Sequence, residues 1–175
     1  MACVSFSGGI TNDCANNMGG ITKLYLTDFA NVSSYTSANG TVSAVTLAGA
    51  TSSYGFYEFQ FNRNSATFTE DLVKSVEAGS ALFEQTVTVT IPRRDVTKRN
   101  TLSLLTQRDL AVIVKDSNGF YWVVGEVEGC YLSESTSTSG TAKADGSNYV
   151  LTLKGFEQAR ASSISAAVVA GALAS

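Results

Sequence analysis

A chain of 175 residues suits one domain, and its 44% hydrophobic content is enough for a sizeable core. Only 15% of its residues are charged, against about 25% in ordinary soluble domains, so much of its surface is suited to face protein rather than water. The balance of 12 basic and 15 acidic residues argues against a protein that grips nucleic acid through its phosphates, and the absence of histidine excludes Ser-His-Asp and Cys-His nucleophiles and His-ligated metals.

Residues 1–20, rich in Gly and Asn, read as an irregular arm with tight turns. The first strand begins at Ile21, where Leu24, Leu26 and Phe29 stand among β-formers. A polar turn over 33–41, carrying Asn39-Gly40, precedes a second strand over 42–47, and Asn-Gly between β-prone runs predicts a hairpin. In 57–62, Tyr57, Phe59 and Phe61 take one face and Glu58, Gln60 and Asn62 the other, which is the alternation of a strand with one buried face. Residues 66–92 predict a long hairpin with its tip near Glu77-Ala78-Gly79-Ser80. Its return arm alternates Phe83, Gln85, Val87, Val89 and Ile91 against Glu84, Thr86, Thr88 and Thr90.

Pro92 closes that strand and the period changes. Val96, Leu102 and Leu105 fit one helical stripe with Leu104 beside it, predicting a helix over 94–107 with one packed side. LAVIVKD returns to strand, turns at 116–119 and comes back as FYWVVGEVE. A low-complexity loop over 133–147 precedes the strand NYVLTLKGFE, and the tail from Ala159 reads equally as a short Ala-rich helix or an added strand. Eight or so strands and one helix predict a mostly-β single domain, a β-sandwich or partly closed barrel with one flanking α-helix and a long β-hairpin.

The residues that carry chemistry are few. Cys3, Cys14 and Cys130 are an odd number without CxxC spacing, so neither a zinc site nor a disulfide framework is indicated. Cys3 and Cys14 are able to pair, but three reduced thiols are the expected state in a cytoplasm. Gly8-Gly9 and Gly19-Gly20 lack the strand and helix context of a nucleotide loop, and no cofactor is expected. Glu70 and Asp71 are strand neighbours that point to opposite faces, and Glu126 with Glu128, sharing a face, reads as a solvated or lumen-facing acidic stripe. No catalytic residue is assigned, and the expectation is a protein that is not an enzyme. The basic group Arg93, Arg94, Lys98 and Arg99 lacks interleaved aromatics and reads as a face that pairs with acidic residues of a neighbouring subunit. Tyr121 is a further inter-subunit candidate. The N-terminus lacks the features of a secretory signal and the apolar C-terminal run is shorter than the ~20 residues of a membrane span, so the expectation is synthesis in the cytoplasm without membrane insertion.

Taken as a set, GGITKLYLTDFANV, the hairpin of 66–92, the helix beginning RRDVTKRNTLSLL and the pair LAVIVKDSNGFYWVVG resemble structural proteins of phages that infect Bacteroidetes-type bacteria, over about residues 15–155. The order of elements also resembles phage tail tube subunits. That resemblance implies a virion structural protein whose copies form stacked, hexameric rings around a channel, with the tail as its location, other tail proteins as partners and DNA as a transient, non-specific passenger. It places Thr67, Thr69, Glu70, Glu84, Thr86, Thr88 and Thr90 on the lumen, and the arm, the loop of 133–147 and the tail between rings. A capsid decoration or neck protein is the alternative within the same class. A carbohydrate-binding β-sandwich using Tyr121 and Trp122 is the alternative outside it.

Overall fold

A computed structural model describes residues 8–10, 15–75, 77 and 79–174. In chain order its elements are β1 (Ile21–Asp28), β2 (Val32–Ala38), β3 (Thr41–Leu47), the one-turn helix α1 (Thr51–Tyr54), β4 (Tyr57–Phe59), β5 (Ala66–Ser75), β6 (Ser80–Pro92), α2 (Val96–Leu105), β7 (Leu110–Asp116), β8 (Tyr121–Val124), β9 (Tyr131–Thr138), β10 (Asn148–Glu157), β11 (Ser162–Ile164) and α3 (Ala166–Ala172). The strands form a seven-stranded sheet, ordered β2-β3-β11-β8-β7-β1-β4, and a four-stranded sheet, ordered β5-β6-β10-β9. The protein is therefore mostly β, and its two sheets are open rather than closed into a barrel.

Alternation along the strands builds the core between the sheets. Leu24 and Leu26 of β1 and Val112 and Val114 of β7 face Val87 and Val89 of β6 and Leu151 and Leu153 of β10, all 0–2% exposed. The intervening residues Tyr25, Ala111, Ile113 and Val123 turn the other way, into a second cluster with Val42, Phe56, Ile164 and Val169. Burial on both faces is why β7 reads as an unbroken apolar run rather than an alternating one.

Eleven strands replace the expected eight or so because three polar or ambiguous segments also pair. Residues 33–38, expected within a turn, continue β2, and the turn is confined to Asn39 and Gly40, whose φ values of 51° and 72° are those of a tight hairpin. Residues 133–138, expected as loop, belong to β9, which pairs with β10 while both its faces stay largely exposed. The tail from Ala159 does both things left open for it: β11 adds to the seven-stranded sheet, parallel to β3, and α3 follows.

Two local expectations are corrected. In the stretch 57–62 only Tyr57–Phe59 pair as strand, and Tyr57 is exposed while Phe59 and Phe61 are half-buried against the core. Helix α2 is shorter than expected. Asp95 caps it by accepting from the Lys98 N–H at 2.8 Å, which leaves Val96 in the first turn and 71% exposed. The packed side is Leu102 and Leu105 alone. Of the arm, residues 17–20 lie over the turn of 116–119, with Met18 N–H donating to Asn118 Oδ1 and Ser117 Oγ donating to the Gly19 carbonyl. The expectations for 1–7 and 11–14, including Cys3 and Cys14, fall outside the described residues.

The alternation of β10 sets a direct test. Leu151→Ala should lower unfolding free energy by about 2–5 kcal/mol. Its neighbour Thr152→Ala, on the opposite face, should cost less than about 1 kcal/mol. Urea denaturation of the two variants beside the wild type reads the difference, and equal losses would contradict the assignment of faces.

Candidate functional site

Because one face of the four-stranded sheet is committed to the core, its other face is set residue by residue. Thr67 lies opposite Thr88, Thr69 opposite Thr86, and Thr88 in turn opposite Thr152, so threonines run across three adjacent strands. Thr90 stands beside Val150, and Thr136 and Glu134 extend the face onto β9. The threonines of β6 are half-exposed and those of β5 exposed. Thr suits such a face because its branched side chain packs against cross-strand neighbours while its hydroxyl stays wet.

Charge on this face is sparse. Lys154 of β10 donates to and forms an ion pair with Glu84 of β6. The hydrogen bond and charge of Glu84 hold the Lys154 ammonium above its ordinary pKa. Asp71 and Glu134 share the face, so it is weakly acidic.

Glu70 does not belong with these residues. It lies opposite Gln85, on the core side of the sheet, where one carboxylate oxygen accepts from the Ala161 N–H at 2.6 Å and the other sits 3.6 Å from the Arg160 guanidinium. The strand period of two decides this, since residue 70 has opposite parity to 67 and 69.

Glu70 is one member of a polar junction that ties the two sheets where the hairpin leaves the body. Gln85 is 1% exposed, accepts from the Gly125 N–H at 2.9 Å and donates to the Ala159 carbonyl at 3.4 Å. Glu157, 7% exposed, accepts from Val127 N–H at 2.8 Å and Glu128 N–H at 3.1 Å, holding the tip of the 125–129 loop. Gly125 and Gly129 both have positive φ, and a Cβ on Gly125 would come within 2.6 Å of Cys130 Sγ, so the loop fits only with glycine there. Under it the Cys130 thiol is buried, which pushes its pKa from 9.0 up to about 12. Burial raises the Tyr35 hydroxyl as well.

Two further surfaces flank the sheet. Beyond Phe83, over whose ring Arg160 lies at 5.0 Å, the described residues of the hairpin have both faces open, exposing Leu72 (56%) on one and Val73 (47%) and Leu82 (36%) on the other. At the opposite end of β6, an apolar groove of about 870 Å³ runs between α2 and residues 57–62, lined among others by Tyr57, Phe59, Phe61, Ile91, Leu104 and Leu105.

The basic group sits at the start of α2 but is not a uniform free patch. Lys98 donates to the carbonyls of Pro92 and Arg93 at 2.6 and 3.2 Å, and Arg94 lies 5.9 Å from the Tyr149 ring centre, whereas Arg93 and Arg99 are exposed. Tyr121 is elsewhere, half-buried against the second cluster with the Lys115 ammonium 5.2 Å over its ring. Trp122 packs on the inter-sheet core and donates to Asp116 Oδ2 at 3.1 Å. Among the described residues no group of three or more Cys, Asp or Glu is placed to hold a metal ion, and no helix is long and apolar enough to cross a membrane.

Set beside known protein families and curated proteins, the chain matches none.

Two expected outcomes follow from the junction. Glu157→Ala strands two backbone donors and should cost about 2–4 kcal/mol, measurable by urea denaturation, whereas Glu134→Ala on the exposed strand should be near neutral. The raised Cys130 pKa means the folded state holds its proton more tightly than the unfolded state. Its contribution is therefore complete below pH 9 and is lost progressively toward pH 12, at up to about 1.4 kcal/mol per pH unit. Melting temperatures between pH 8 and 11 should fall less steeply in Cys130→Ala than in the wild type.

Proposed function

We propose that the chain is a virion structural subunit, a tail tube protein whose copies join through their sheets into rings around a channel for DNA. The observation that carries this reading is the four-stranded sheet, whose central strands β6 and β10 are sealed into the core on one face and carry threonine on the other, and whose edge strands β5 and β9 are open. β5 with 10 residues and β9 with 8 are long edges of the kind that pair with another chain unless blocked. β5 pairs with β6 without a bulge and contains no proline. Joining β5 of one copy to β9 of the next removes both edges and closes a barrel when the rotation between copies closes.

In that arrangement Thr67, Thr69, Thr86, Thr88, Thr90 and Glu84 line the lumen, with Thr152 and Lys154 beside them. Glu70 acts inside the subunit instead. A wet, weakly acidic wall suits a passage for DNA, because each lysine or arginine paired to a phosphate would release counterions and make the strand adhere. The four basic residues and Tyr121 remain candidates for contacts between subunits, with Arg93 and Arg99 the more available.

Negative-stain electron microscopy of the purified protein should show rings of about six copies, or tubes built from them. A species that stays monomeric at every concentration and salt condition would overturn the reading, and three-fold clusters on capsids would replace it with a decoration protein.

A further inference from the structure

The reading above accounts for the edges of the sheet but leaves two apolar surfaces without a role: the bare end of the hairpin and the groove beneath α2. Leu72, on one face, and Val73 and Leu82, on the other, sit on a two-stranded arm that nothing among the described residues covers. An arm of this kind is marginal in water by itself, and exposed leucine and valine on it favour burial against another surface.

The groove offers that surface. It is lined mainly by Tyr57, Phe59, Phe61, Leu102, Leu104 and Leu105, and Tyr57 (49%) and Leu104 (63%) are open on its rim. Charge complements the fit. Arg93, Arg94, Lys98 and Arg99 stand at the start of the helix against a single acid there, Asp95, while the acids that line the groove, Asp28 and Glu58, are paired with Arg108 and Lys23. On the arm, Asp71 and Glu77 are exposed beyond the ion pairs of Glu70 and Glu84, with only Lys74 to offset them.

One chain cannot make this contact with itself. The arm begins β6 at Ser80, and the groove reaches Ile91 and Pro92 at its other end. The 13 residues of that strand put about 40 Å of extended backbone between them. A hairpin at one end and its receptor at the other, on the same strand, are satisfied head to tail between copies that point the same way, as copies in stacked rings do, and such a contact repeats along the strand direction.

Resting on the ring reading, we infer that the hairpin arm of one subunit enters the α2 groove of a second copy in the adjacent ring, with Leu72 on one face of the arm meeting one wall and Val73 and Leu82 on its other face meeting the opposite wall. The sheet edges then join copies around the ring and the arm joins rings into a tube. This assigns the axial contact to residues 71–75 and 80–82 and to α2, in place of the N-terminal segment, the loop of 133–147 and the tail, to which the resemblance gave it.

The test uses two variants at exposed positions, Leu72→Asp with Leu82→Asp on the arm and Tyr57→Asp with Leu104→Asp on the groove. Circular dichroism qualifies each as folded, and single Leu72→Ser and Leu104→Ser variants stand in if a double variant fails. By electron microscopy and sedimentation velocity, wild type should form tubes, and each variant alone should stop at single rings. An equal mixture should form pairs of rings and nothing longer, because only one intact arm-and-groove junction is possible. Variants that stack as the wild type does, or that lose rings rather than stacking, would overturn the axial contact while leaving the ring reading standing. A wild type that forms neither rings nor tubes would overturn both.

Discussion

The apolar seam between the sheets governs what every other surface of the molecule is free to do. Val87, Val89, Leu151 and Leu153 meet Leu24, Leu26, Val112 and Val114 with essentially no solvent contact, and each such side chain contributes about 1.5–3 kcal/mol on burial. Side chains alternate along a strand, so committing this set inward commits Thr86, Thr88, Thr90 and Thr152 outward. A slip of one residue would bury the threonines and expose the valines, and the cost of that exchange is what holds the register. The polar face is thus a by-product of the core as well as a surface in its own right.

An apolar seam alone is non-directional and would tolerate sliding. The polar junction supplies the direction. Gln85 interrupts the apolar series of β6 and binds the Gly125 N–H across the gap between sheets, and Glu157 does the same for the tip of the same loop. These groups are buried, so each bond left unmade would cost more than it contributes when made, and only one alignment satisfies them all. Their position also explains where the arm begins. Beyond Phe83, where β10 still pairs and Arg160 lies over the ring, no further layer among the described residues covers the two strands, and they leave the body as a bare hairpin.

Much of this is legible in the residues. The 2-residue period of 83–91, the turn at Asn39-Gly40, the pair around 116–119 and the helix after Pro92 carry their own local chemistry, and the structure has each of them. What escapes is set by parity and by distance along the chain. Glu70 reads as a lumen residue from its neighbours Thr67 and Thr69, yet counting by two places it with Gln85. The strands at 33–38 and 133–138 are rich in Ser and Thr and exposed, so they carry no apolar period; only the strands they pair with reveal them. Glu157 is an ordinary acid at a strand end until the loop of 125–129, some thirty residues earlier, is folded onto it. The groove is assembled from β4, β6, α2 and the segments between, and no local pattern announces it.

The order of the four-stranded sheet bears on how copies can join. Each neighbouring pair in β5-β6-β10-β9 is antiparallel, so β5 and β9, separated by three pairings, run in opposite directions. Copies related by rotation about an axis along the strands therefore bring β9 of one against β5 of the next in antiparallel sense, and the alternation passes unbroken from subunit to subunit. An odd number of strands would place two parallel edges together at each junction, with slanted bonds and a less stable pairing per residue. An even-stranded antiparallel sheet is the simplest unit that repeats around a ring without a seam. In the proposed tube, what projects from the ends of these strands would point toward the rings above and below. Edge and end would thus divide the two directions of growth of such a tube between them, and the long strand β6, which runs from the arm to the groove, would couple the two.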